Sequence, residues 1–158
     1  MKKKYENLPL RNGVGIVVLN KQNKVFVAKR IDNPKNFWQM PQGGVDKNED
    51  FLSAAYRELE EETSIKNVKL IKEIDGLIKY ELPENLLGII WKGKYKGQIQ
   101  KWFIMEFLGN DSDINIKTKN PEFLEWKWID LEKITDVVVD FKLEVYKEVK
   151  EKVKKIIN

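Results

Sequence analysis

Apolar positions fall along this chain in short runs separated by turn residues. Gly13 to Asn20 (GVGIVVLN) is a β-rich apolar run, and Val25 to Arg30 alternates as a second strand. Lys21-Gln22-Asn23-Lys24 supplies turn chemistry between them, which predicts a hairpin flanked by Arg11 and Arg30. After a polar loop over residues 31–37, a helical pattern starts near Asp50, with Asn48 and Asp50 as candidate caps, and ends near Thr63. Leu52, Ala55, Tyr56 and Leu59 form its expected docking side. Residues 68–74 and 77–82 read as strands broken by Asp75-Gly76, and residues 83–97 as a longer loop with at most one short strand. Lys101 to Leu108 is the expected central strand, Phe123 to Ile129 a further one, and Asp130 to Ile134 a helical turn. From Phe141 to Ile157 the period becomes helical, with Phe141, Val145, Val149, Val153 and Ile156 on one face. Strands and helices that do not alternate strictly favour an α+β fold, a mixed sheet between helices.

Composition narrows this picture. At 158 residues, with 42% hydrophobic and 11% aromatic content, the chain reads as one globular domain over 1–158. Cysteine is absent, which excludes disulfides and thiolate metal sites and fits a reducing, cytoplasmic setting. Histidine is absent too, so acid–base work falls to carboxylates, lysines and tyrosines. No signal-like or membrane-length apolar run is present, and neither a membrane nor a DNA duplex is expected as a partner. The oligomeric state is left open. A net charge of +4 is a mild attraction for polyanions and equally the mark of a soluble surface. Among 29 basic residues only Arg11, Arg30 and Arg57 are arginines. Each is a candidate for bidentate recognition, or else one half of a surface ion pair.

The candidate chemistry sits between Gly43 and Ile65, in GGVDKNEDFLSAAYRELEEETSI. Glu58, Glu61 and Glu62 stand at i, i+3 and i+4, so three carboxylates share one helix face. Either that face is solvated, or a hard cation such as Mg²⁺ or Mn²⁺ sits among the oxygens.

Gly43, Glu49, Arg57-Glu58-Leu59, Glu61-Glu62 and Ser64-Ile65 stand at the spacing of the Nudix box, and the chain resembles the Nudix hydrolases. Ser64 stands where the family pattern has glycine. WQMPQGG (38–44), IKYELP (78–83), GQIQKWF (97–103), NPEFLEWKWI (120–129) and VVDFKLEVY (138–146) are similar to segments of one subgroup. That subgroup acts as RNA pyrophosphohydrolases and dinucleoside oligophosphate hydrolases. The resemblance implies an α/β/α sandwich with a loop-helix-loop catalytic box. It also implies metal binding by Glu58, Glu61, Glu62 and Glu122, with Mg²⁺ expected first and Mn²⁺ as the alternative. Arg57 would orient the glutamates with Glu49 as its partner, and Glu61, ahead of Glu122, would be the base. Arg11, Arg30 and Lys142 would contact the phosphates or first nucleotides, Phe141 would stack on a base, and Gln42, Tyr80 and Gln100 would touch substrate. On spacing alone Phe141 belongs to the core, as do Trp102, Trp126 and Trp128, while Trp38 fits either role. The implied substrate is a 5′-triphosphorylated RNA end, losing pyrophosphate, or diadenosine tetraphosphate, cleaved to ATP and AMP. A binding module with a vestigial site is a third reading, against which the intact carboxylates stand.

Overall fold

Consecutive apolar residues in a strand require both of its faces to be covered, and β1 (Leu10–Leu19) meets that condition. A computed structural model describes residues 5–33 and 35–157; the basic start Met1–Lys4, Pro34 of the 31–37 loop and Asn158 lie outside the described residues. On one face of β1, Val14, Ile16 and Val18 pack with Phe26 and Ala28 of β2 (Val25–Arg30) and with Ala54, Ala55 and Leu59 of α1 (Phe51–Thr63). On the other, Val17 and Leu19 pack with Val25, Val27 and with Val145, Tyr146, Val149 and Val153 of α3 (Leu143–Ile157). Each such buried aliphatic side chain contributes roughly 1.5–3 kcal/mol. The sheet is therefore the rigid layer against which both helices are fixed.

The remaining strands are β3 (Gln42–Gly44), β4 (Val68–Glu73), β5 (Ile78–Glu81), β6 (Gly97–Phe107) and β7 (Phe123–Ile129). They build a mixed sheet in the order β4-β6-β1-β2-β7, with β3 on β1 and β5 on β6. β1 and β6 run parallel, and the other pairs are antiparallel. A short helix α2 (Ile134–Val137) precedes α3.

Several boundaries move. β1 starts at Leu10, and β6 reaches back to Gly97, because the two form one long parallel ladder from Leu10↔Gly97 to Leu19↔Glu106. Leu108, expected in the central strand, lies beyond it and is exposed. Residues 83–96 form two 3₁₀ turns and no strand. The last helix starts at Leu143, after a 3₁₀ turn over Asp140–Lys142 that carries Phe141, which still packs against the same core as Val145, Val149 and Val153. On α1, Tyr56 is 38% exposed, while Ala54 joins Ala55 and Leu59 in the core beside Val14, Ile16 and Val18 of β1. Trp102 is fully buried, whereas Trp126 and Trp128 are half-buried around Phe26. Trp38 is buried, with Lys127 Nζ 4.1 Å from its ring centroid.

Candidate active site

Helix α1 starts where Asp50 accepts a hydrogen bond from the Ser53 N–H at 2.7 Å. It ends at Ser64, which takes the left-handed φ of 66° that glycine usually supplies. The Ser64 hydroxyl donates to the Asn115 carbonyl at 2.8 Å, so the serine reaches the glycine shape with an extra tether.

The three helix carboxylates share a side but not a depth. Glu61 is open to solvent at 59% of its side chain, Glu58 is nearly covered, and Glu62 is 3% exposed. Neither oxygen of Glu62 has a hydrogen-bond partner. Burial, then the neighbouring Glu122 and Glu58 carboxyls, pushes its pKa well above the usual carboxylate range. Burial also raises Glu58, with Arg57 opposing it. Desolvation, more than crowding of like charges, thus dominates both shifts.

Arg57 organises the group. Its Nε and one terminal nitrogen grip Glu49 as a fork at 2.8 and 2.9 Å, and that same terminal nitrogen donates to the Gly44 carbonyl at 2.8 Å. The other terminal nitrogen donates to Glu58 at 2.8 Å and Glu61 at 3.1 Å. Glu49 is held down at about 2 by this fork and by the Asp46 N–H. Gly43 lies so close to Glu58 that a Cβ there would overlap its carboxyl group, and a Cβ on Gly44 would overlap the Arg11 guanidinium. The glycine pair thereby brings an acidic and a basic side chain onto one short strand.

Glu122 enters from the loop before β7. Its carbonyl accepts from the Ile31 N–H at 2.9 Å, tying it beside Arg30. Glu58, Glu61, Glu62, Arg57, Lys119 and Glu122 line a cleft of about 970 Å³. Arg30 donates as a fork to Asp32 at 2.8 and 2.9 Å, which raises its pKa, and Glu122 and Glu62 add to the rise.

Beside the cleft stands a second group. Lys142 is 6% exposed, reaches Gln39 Oε1 at 3.4 Å, and has no carboxylate partner among the described residues. Burial, then the positive Arg30, brings its pKa down from 10.5 to about 7. Its ammonium lies 5.8 Å from the Tyr80 ring centroid and 5.9 Å from that of Phe141. These two rings tilt against each other at 5.7 Å. Phe141 is half-buried against the α3 side of the core.

Gln100 is completely buried, and its amide is fully engaged. It donates to Gln42 at 3.4 Å and Gln98 at 3.2 Å and accepts from the Trp102 indole at 3.2 Å. The structure thus places Gln100 behind Gln42, which lies beside the Tyr80 hydroxyl. Sequence reasoning missed Gln98 and Gln39; the latter's buried amide nitrogen has no partner. Polar residues at alternate positions 98 and 100 of an otherwise apolar strand were the available signal.

Among the described residues, no three acidic side chains are gathered to hold a metal as they stand, since Arg57 occupies Glu58 and Glu61. The residues nevertheless fit a divalent cation. A buried carboxylate with two orphaned oxygens, flanked by two more carboxyls, is the donor set that a hard cation satisfies.

Residues 9–149 match the NUDIX domain model, and the chain belongs to this family. It is 84% identical over 152 residues to an RNA pyrophosphohydrolase of Pelagibacter ubique, covering 96% of each chain. It is 49% identical over 142 residues to an RNA pyrophosphohydrolase of Rhodospirillum rubrum, covering 90% of this chain and 86% of that one. Among solved structures, the E. coli dihydroneopterin triphosphate pyrophosphohydrolase superposes with a TM-score of 0.70 at 21% identity, covering 89% of this chain and 96% of that one. A C. elegans Ap4A hydrolase complex does so at 0.67 and 21%, covering 92% and 99%. These likenesses establish the mixed sheet with flanking helices as the Nudix fold.

Proposed function

We propose that this protein is a Nudix pyrophosphohydrolase that removes pyrophosphate from 5′-triphosphorylated RNA and leaves a 5′-monophosphate. The supporting observation is the buried, unpartnered Glu62 at the floor of an acidic cleft, with Lys142 and the arginines beside it. High identity to RNA pyrophosphohydrolases over nearly the whole chain supports the substrate. Glu58, Glu62 and Glu122, with Glu61, would hold divalent cations, Mg²⁺ first and Mn²⁺ as the alternative. A cation held there would supply charge neutralisation for phosphoryl oxygens and would lower the pKa of a water toward neutral pH. Glu61, the most open of the helix carboxylates, takes or positions the proton of the attacking water. Arg57 keeps Glu58 and Glu61 aimed into the cleft. Arg11, Arg30 and Lys142 clamp the phosphates, while Phe141 offers its ring to a base, with Tyr80 and Gln42 alongside it. Gln100 acts through Gln42. The chain works as one domain in the cytoplasm; among its described residues no helix is long and apolar enough to cross a membrane.

A competition assay tests the substrate. With Mg²⁺, short 5′-triphosphorylated RNA and diadenosine tetraphosphate are offered together, and kcat/KM is expected to favour RNA. Decisive preference for the dinucleotide would overturn the proposal.

A further inference from the structure

We propose that Trp91 is a positioning residue for Arg11, holding its guanidinium ready for the phosphate chain. The inference rests on the reading of Arg11 as a phosphate contact. Arg30 is engaged by Asp32, and Arg57 by Glu49, Glu58, Glu61 and Gly44. Arg11, by contrast, makes no ion pair and donates no side-chain hydrogen bond among the described residues. Its guanidinium carbon lies 5.4 Å from the centroid of the Trp91 ring and against the backbone of Gly44. An aromatic face orients a guanidinium while leaving its N–H donors uncommitted, which a carboxylate partner cannot do. Its donors are therefore committed to no protein acceptor among the described residues and can turn to phosphate oxygens.

The backbone around Trp91 is built to present that face. Trp91 (φ 53°), Lys92 (φ 58°) and Gly93 (φ 74°) are three left-handed residues in succession, and two of them are not glycine. L-residues disfavour this conformation, and it persists where the surroundings impose it. Here the Lys94 N–H donates to the Trp91 carbonyl at 3.2 Å, and Tyr95 meets the Trp91 ring edge-on at 6.1 Å. The Lys96 N–H bonds the Pro9 carbonyl at 3.1 Å, anchoring the turn beside the start of β1. Trp91 also packs against the α3-side core, so the indole is a fixed wall.

The test uses Trp91→Leu, which keeps an apolar but smaller side chain without a π face, together with Trp91→Phe, Arg11→Ala and the Trp91→Leu/Arg11→Ala double variant. Readouts are kcat and KM on 5′-triphosphorylated RNA and inhibition by inorganic tripolyphosphate. Trp91→Leu is expected to raise KM about tenfold with kcat nearly unchanged and to weaken tripolyphosphate inhibition equally. It should add nothing in the Arg11→Ala background, and Trp91→Phe should recover most of the loss. A full additional effect in that background overturns the proposal. So does a raised RNA KM with tripolyphosphate inhibition intact, which makes Trp91 a base platform. If Arg11→Ala leaves both readouts unchanged, the phosphate role of Arg11 fails instead. If Arg11→Ala is impaired and Trp91→Leu is not, only the present inference fails.

Discussion

Lys142→Met should stabilise the fold while damaging the enzyme. Lys142 is buried, with one long hydrogen bond to Gln39 and no carboxylate partner among the described residues. Burial and Arg30 bring its pKa from 10.5 to about 7, against the pull of Glu62 and Asp32. At about 1.4 kcal/mol per pH unit, that drop corresponds to roughly 5 kcal/mol of penalty on the charged form. Partial relaxation and water entry in the native protein reduce this, so a gain of about 2–3 kcal/mol at pH 7 is expected for Met, which fills similar volume. For a chain of this size, this raises Tm by roughly 5–10 °C. The sign with pH follows from linkage. Between about 7 and 10.5 the unfolded chain binds the proton that the folded one rejects, so wild-type stability rises with pH through that window. The advantage of Met is therefore complete below about pH 7 and gone by pH 10.5. Loss of the proposed charge-assisted contact to phosphate should lower kcat/KM on triphosphorylated RNA about 10- to 100-fold. Urea denaturation from pH 6 to 10, beside steady-state kinetics, reads both effects. A destabilised Lys142→Met, or one whose benefit does not shrink with rising pH, would refute the reasoning.

Glu62→Gln should remove another cost in the metal-free protein. Because the folded pKa of Glu62 is raised, its stability contribution is present in acid and lost as pH rises through that raised value. The variant should therefore be the more stable form at pH 8 without metal, by about 1–3 kcal/mol in urea melts, and should show none of the Tm rise expected of the parent with Mg²⁺. Ser64→Gly relieves a left-handed serine but removes its bond to Asn115, so the net change should stay below about 1 kcal/mol in urea denaturation. Gly43→Ala pushes the Glu58 carboxyl aside and should cost about 100-fold in kcat with the far-UV circular dichroism spectrum intact; full activity would show that Glu58 need not approach that backbone.

The sequence revealed the local features and concealed the depth. Helical spacing put Glu58, Glu61 and Glu62 on one side of α1, and the Arg57–Glu49 fork followed from their places in the box. Periodicity gives the direction of a side chain but not how far a neighbouring loop covers it, so the contrast between buried Glu62 and open Glu61 had to come from the loop that brings Glu122. The extra length of β1 and β6 was hidden because polar residues such as Arg11, Gln98 and Gln100 interrupt the apolar pattern. Those residues form the glutamine network and the Trp91–Arg11 contact, which depend on pairings across distant parts of the chain. Phe141 illustrates the same limit: helical spacing put it on the core face, which it keeps, but could not show that a 3₁₀ turn also sets its ring against Tyr80.

The most direct test of the central claim is single-turnover conversion of a 5′-triphosphorylated RNA with Mg²⁺, comparing the parent with Glu62→Gln and resolving the RNA ends. If the claim holds, the parent yields 5′-monophosphorylated RNA and the variant does so at least about 1,000-fold more slowly, the effect expected for removal of a proposed cation ligand. Untouched RNA ends with the parent, or equal rates for the two proteins, would contradict it.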